Sequence, residues 1–242
     1  MRYNRLFFLL LALLLVACQA ATPTPAPMPT LWQVGYTSTL SWMGPLFNTC
    51  TLQDSGVGLL VFERPASALD PQESDFSLRW GAPPDSSIPA AVIGSDELVF
   101  ITHPDNPVQS LSLDDLKAIF SGTARSWEAF GTSPSEIELW LAPDGSDLQQ
   151  VFQALLGLGD GPTPYGFLAP DPLAMRQAVA ASPTAIGYLP ARWLDESVQM
   201  LTVSDVTLEA LQQPILALYN QEPQGQKKQW LLCVQNAIAE QP

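Results

Sequence analysis

The sequence predicts an α/β fold with mixed sheets flanked by helices, and three observations point there. Short apolar runs of strand length recur at 57–62, 90–93, 97–102, 136–141, 186–189, 198–203 and 215–218. Capped segments with helical spacing lie among them, at 112–122, 146–156, 171–181 and 225–239. Roughly 210 residues follow the N-terminal leader and its spacer, enough for one large domain or two small lobes.

Residues 1–18 read as a leader. Arg2 and Arg5 supply a basic start, and the apolar run 6–16, about eleven residues, is short for a bilayer span. It closes on Leu15-Val16-Ala17-Cys18, which resembles a bacterial lipobox. On that reading Cys18 becomes the mature N-terminus and carries lipid, and stable tethering takes more than one acyl chain, palmitate included. Residues 19–30 (QAATPTPAPMPT) form a Pro/Thr-rich, semi-rigid spacer.

The formal charge is −14; losing the two leader arginines leaves 8 basic against 24 acidic residues, or −16. So acidic a chain argues against nucleic acid, which is held by Lys and Arg. Any anion must then be held by local backbone and hydroxyl donors. Beyond Cys18 the cysteines are Cys50 and Cys233, a pair that in an exported protein reads as a disulfide, with two buried thiols as the alternative. Two cysteines and the single histidine, His103, do not make a metal set. No nucleophile sits with a base, so no catalytic residue, metal or cofactor is expected.

Residues 32–35 read as a short strand, followed by Thr37, Ser38 and Thr39 and then Leu40. Hydroxyl residues just before a helix at 42–48 form an N-cap cluster whose backbone N–H groups suit an oxyanion. The run 57–62 suits a buried strand, and 74–80 (SDFSLRW) a second one. Residues 99–103 read as a crossing strand ending at His103, with a turn at 105–107. In 111–131, Ser112 is an N-cap with Asp115 three residues on, Asp114 and Asp115 suit the helix dipole, and Leu113, Leu116, Ile119 and Phe120 share one face. Gly122 ends that helix. Ser146 and Gln149 form a second capping box before a helix whose buried face is Leu148, Val151, Phe152 and Leu155. Residues 157–164 form a Gly/Pro loop suited to covering a cleft, and 171–181 a helix bearing Arg176. Ser204 caps a short helix or turn at 204–211.

The order helix, Ile119-Phe120-Ser121-Gly122, Trp127, then Phe130-Gly131 resembles a signature of the phosphate-binding proteins of ABC importers, in the type II periplasmic-binding-protein superfamily. Asp144-Gly145-Ser146 with Val151-Phe152 resembles that family's second-lobe anion loop, and 183–188 the strand leaving that lobe. The resemblance covers roughly 96–190 and implies a two-lobed receptor, lobe one being 31–102 with 191–242 and lobe two 103–190. It implies residues 198–203 rejoining lobe one, and a Cys50–Cys233 bridge that ties the two chain ends into that lobe. It implies a small oxyanion, phosphate first, held by Thr37, Ser38, Thr39 and Leu40 from one side and Gly145, Ser146 and Asp147 from the other. It also implies a monomeric solute-binding protein, anchored outside the cytoplasm through Cys18 and served by an ABC permease.

The chain departs from the pattern at three places. Trp80 falls where the strand-end acid is expected, which leaves Ser77 or Arg79 to contribute. Ala142 stands in place of an arginine, and Asp147 and Leu148 in place of glycine and threonine. At about 4 Å from a bound anion, the Asp147 charge would repel it by on the order of 4 kcal/mol at an effective dielectric near 20. The departures leave a changed ligand, or a structural or signalling envelope role without one, as the alternative.

Overall fold

One strand carries the architecture of the computed structural model, which describes residues 29–51, 56–83, 85–159 and 161–241. The leader with Cys18, and all but the end of the spacer, lie outside the described residues. The strands are β1 (Thr30–Tyr36), β2 (Val57–Glu63), β3 (Phe76–Trp80), β4 (Ala90–Thr102) and β5 (Ser110–Leu111). They continue with β6 (Glu138–Leu141), β7 (Phe167–Leu168), β8 (Ala185–Pro190), β9 (Gln199–Val203) and β10 (Gln212–Leu218). The helices are α1 (Gly44–Cys50), α2 (Leu113–Phe120), α3 (Asp147–Leu156), α4 (Pro172–Ala180), α5 (Leu208–Leu211) and α6 (Gly225–Ala239).

The organising strand is β4, thirteen residues long, where the sequence suggests two strands. Gly94 opposes Ile215 and Val92 opposes Leu216, so Ile93 is an extra residue absorbed as a bulge rather than a break. Gly94 has little choice of side chain, because a Cβ there would stand 2.7 Å from Ile238 Cγ2 on α6.

The first part of β4 pairs antiparallel with β10, which continues to β3, β1 and β2, with β1 parallel to both neighbours. The second part pairs antiparallel with β8 and β9, and β8 leads on to β6 and β7. Residues 198–203 therefore do not join β10. Strand β9 lies against Phe100–Thr102 and β5, burying Leu201, and the next strand of the first half is β10.

Each half has its own helical cover. In the first, α6 packs on β4 and α1, Trp230 stacks on Phe76 at 5.1 Å, and Cys50 is disulfide-bonded to Cys233 with the Cα atoms 5.6 Å apart. In the second, Phe100, Phe120, Phe152 and Tyr188 make an aromatic core in which Phe152 stacks on Tyr188 at 3.8 Å. Helix α2 enters that core as its periodicity requires. Ser112 and Asp115 form a complete capping box, and Leu116, Ile119 and Phe120 are buried, each contributing about 1.5–3 kcal/mol. Gly122 follows at φ +78°, pressed against Thr163, whose N–H reaches the Phe120 carbonyl.

Two capped segments differ from expectation. The helix expected at 42–48 is a 3₁₀ turn, Ser38–Met43, running into α1, because Pro45 suits a first helical turn. The segment 204–211 holds a helix only at α5, since the Ser204 N–H bonds the Leu111 carbonyl instead of opening a helix. Among the described residues no helix is long and apolar enough to cross a membrane.

Candidate functional site

The site forms where the 3₁₀ turn after β1 meets the start of α3. Thr37 holds the N-cap position of that turn, with φ −86° and ψ 155°, yet makes no side-chain cap bond. The backbone needs no such bond here: Leu40 N–H donates to the Thr37 carbonyl, and Thr37 N–H donates to Leu78 across β3. The hydroxyls of Thr37 and Thr39 are thus spare donors, and both residues are buried.

Facing them, Gly145 adopts φ +79°, where a Cβ would lie 2.6 Å from Ser67 Oγ. That turn delivers Ser146 as the N-cap of α3, its hydroxyl accepting Gln149 N–H. Gln149 does not close the box; its side-chain oxygen accepts from the Tyr188 hydroxyl, which itself accepts Ala142 N–H. Burial pushes the Tyr188 phenol well above its ordinary value.

Asp147 follows in the first turn and is fully buried. One carboxylate oxygen accepts the Thr37 hydroxyl at 2.5 Å and Trp80 N–H at 2.9 Å. The other accepts the Thr39 hydroxyl at 2.6 Å and Leu148 N–H at 2.9 Å. A carboxylate has about four lone-pair sites, and all four are met. The donors anticipated from the sequence were backbone N–H groups and hydroxyls. The N–H groups of Thr37, Leu40, Ser146 and Leu148 already have partners within the protein, and the hydroxyls with Trp80 N–H do the converging.

Around this cluster the halves are tied at further points. Arg79, 2% exposed, donates to the Gly81 carbonyl and to the Gln150 side chain on α3. Burial lowers its affinity for the proton, and the Asp147 charge opposes that effect. Ser67 N–H donates to the Gly145 carbonyl, and Trp193 Nε1–H donates to the Thr39 carbonyl at 3.0 Å.

The other expected residues stand apart. Ser77 bonds Ser74, and Leu40 is core. Ser38 is half-buried in the 3₁₀ turn. Arg176 pairs with Asp195 and the Trp193 carbonyl, so it braces structure rather than facing a ligand. His103 Nδ1 accepts Asp105 N–H in a turn. Among the described residues no group of three or more His, Cys, Asp or Glu could hold a metal. Sequence reasoning missed Trp80 N–H, Gln150 and Ser67. A backbone donor leaves no residue-type signal, and the other two act through chain proximity alone.

Residues 76–241, more than half of the chain, match the PBP superfamily domain. The chain belongs to the PBP superfamily. The matched PBP segment includes Trp80, Arg79 and Asp147 and begins after Thr37 and Thr39. Over 121 residues the chain is 32% identical to the phosphate-binding protein PstS of Bacillus subtilis (strain 168), a stretch that is 50% of this chain and 39% of that protein. A PBP fold is equally clear from solved structures. A phosphate ABC transporter substrate-binding protein of Clostridium perfringens, with bound phosphate, aligns at TM-score 0.73, 20% identity, over 85% of this chain and 93% of its own. An ABC-type phosphate transport receptor from Vibrio cholerae aligns at TM-score 0.69, 16% identity, over 85% and 93%. At those identities the likeness shows the PBP fold alone.

Proposed function

We propose that this chain is the extracytoplasmic solute-binding component of an ABC importer, tethered through a lipidated Cys18, with a small oxyanion as its solute and phosphate as the first candidate. The two lobes of the proposal are 31–102 with 191–242 and 103–190, with 198–203 packed against the second. The observation that carries the reading is the meeting of Thr37 Oγ1, Thr39 Oγ1 and Trp80 N on one pair of anionic oxygens supplied from the other half. Neutral donors suit a chain whose net charge is −14, because no basic field draws anions in. The phosphate-binding relative and the phosphate receptors among the similar structures support phosphate over other oxyanions.

In this reading the first half supplies the donors and α3 of the second half closes over the solute, so that binding and closure are one event and the closed form is what a permease recognises. Hydroxyl and amide donors held in a buried site select by geometry rather than by charge count. Calorimetry of delipidated protein against phosphate, sulfate, molybdate and small organic acids tests this. Saturable phosphate binding supports it; a flat panel contradicts it. Incorporation of labelled palmitate into wild type but not Cys18→Ala tests the anchor.

A further inference from the structure

We infer that Asp147 is a tethered stand-in for the solute: it fills the cradle in the empty protein, an oxyanion enters only by exchange with it, and it sets the affinity of the site. The inference rests on the reading of Thr37, Thr39 and Trp80 as an oxyanion cradle.

Asp147 is not needed where it is for the helix it begins. Ser146 already caps α3 by accepting Gln149 N–H, and a first-turn acid serves the helix dipole as well from the surface. Instead its charge is buried completely, an arrangement that is costly unless every lone pair is met. Three of the four donors that meet them come from outside α3, and Thr37 and Thr39 lie 110 and 108 residues away in the chain. These are the donors a bound oxyanion would use. The carboxylate and the solute therefore compete for one set of partners.

The surroundings match a site held shut from within. Gly81 has φ +75°, and a Cβ on it would stand 2.3 Å from Val151 Cγ2 on α3, so the two halves meet there with no room for a side chain. Arg79 spans the same seam to Gln150. A tethered group acts at an effective concentration of about millimolar, so a free anion loses apparent affinity by the ratio of that concentration to the carboxylate's own dissociation constant from the cradle, ~100-fold when that constant is about 10 μM.

The test combines phosphate calorimetry with small-angle scattering on wild type, Asp147→Gly and Asp147→Asn, the last preserving side-chain volume so that loss of folding is recognised. Phosphate binding at least ~100-fold tighter in Asp147→Gly than in wild type, with a larger solute-free radius of gyration, is the expected result. Equal affinity in the two proteins overturns the inference and leaves the oxyanion reading standing. If neither binds phosphate, the oxyanion reading fails and the inference falls with it.

Discussion

Thr39 and Asp147 lie 108 residues apart in the chain, and their side-chain oxygens lie 2.6 Å apart. The contact joins the turn after β1 to the first turn of α3, and with Thr37 it makes one carboxylate the meeting point of both halves. On the proposed reading of Thr37, Thr39 and Trp80 as a cradle, Asp147 stands in the anion position rather than beside it.

Thr39→Val leaves one carboxylate oxygen without its hydroxyl donor while keeping the side-chain shape. Hydrogen bonds to charged groups contribute about 1.5–3 kcal/mol, and the loss should appear at that size in urea unfolding. In an Asp147→Ala background the same change should cost far less, because the charge that needed the hydroxyl is gone. Equal costs in both backgrounds would mean that the pair is not coupled.

Gly81→Ala should destabilise the protein by about 1–3 kcal/mol from backbone strain alone, with more from the 2.3 Å approach to Val151. It should also loosen the seam between the halves, seen as faster amide exchange at the start of α3. Gly159→Ala, where a Cβ meets nothing within 4 Å, is the control and should change neither readout.

Cys50 and Cys233 close a loop with a separation of 183 residues. A bridge of that span contributes on the order of 3–5 kcal/mol through the unfolded chain. Thermal unfolding with and without reductant should show a drop in midpoint that the Cys50→Ser/Cys233→Ser protein does not share. An identical response in both proteins would count against a formed bridge.

Asp96 supplies the pH dependence. Burial holds its carboxyl above the ordinary value of 3.8, against the opposing pull of the Glu97 and Arg192 N–H groups and the Arg192 charge. The folded state thus holds this proton more tightly than the unfolded chain. Its favourable contribution is full below the unfolded value and is lost as pH rises through the folded one. Asp96→Asn, which keeps an acceptor oxygen, should therefore gain stability relative to wild type in the window that opens as pH rises above the ordinary carboxyl value of 3.8. Parallel stability curves across that window would contradict the assignment.

The elements were legible where local chemistry decides them. Ser112 with Asp115, and Ser146 before α3, announced their helices through capping, and Leu116, Ile119 and Phe120 announced a buried face. Strand β4 was read as two because Gly94 and Ser95 look like a break. Pairing with β10, Ser95 opposite Pro214 and Gly94 opposite Ile215, makes them part of one strand. Of the site, Thr37, Thr39 and Asp147 were legible as ligand-holding candidates. That the two hydroxyls meet the Asp147 carboxylate was not, because nothing local brings together residues 108 and 110 positions apart. The part played by Trp80 was hidden for a simpler reason: its contribution is a backbone N–H, which every residue except proline carries.

Whether Thr37, Thr39 and Trp80 form an oxyanion cradle is read from the Trp80 amide in a ¹⁵N spectrum during phosphate titration. A saturable shift of that amide is expected, joined by those of Thr37 and Thr39 and tracking the calorimetric curve. Phosphate binding that saturates while the Trp80 amide stays still would place the anion elsewhere and rule the cradle out.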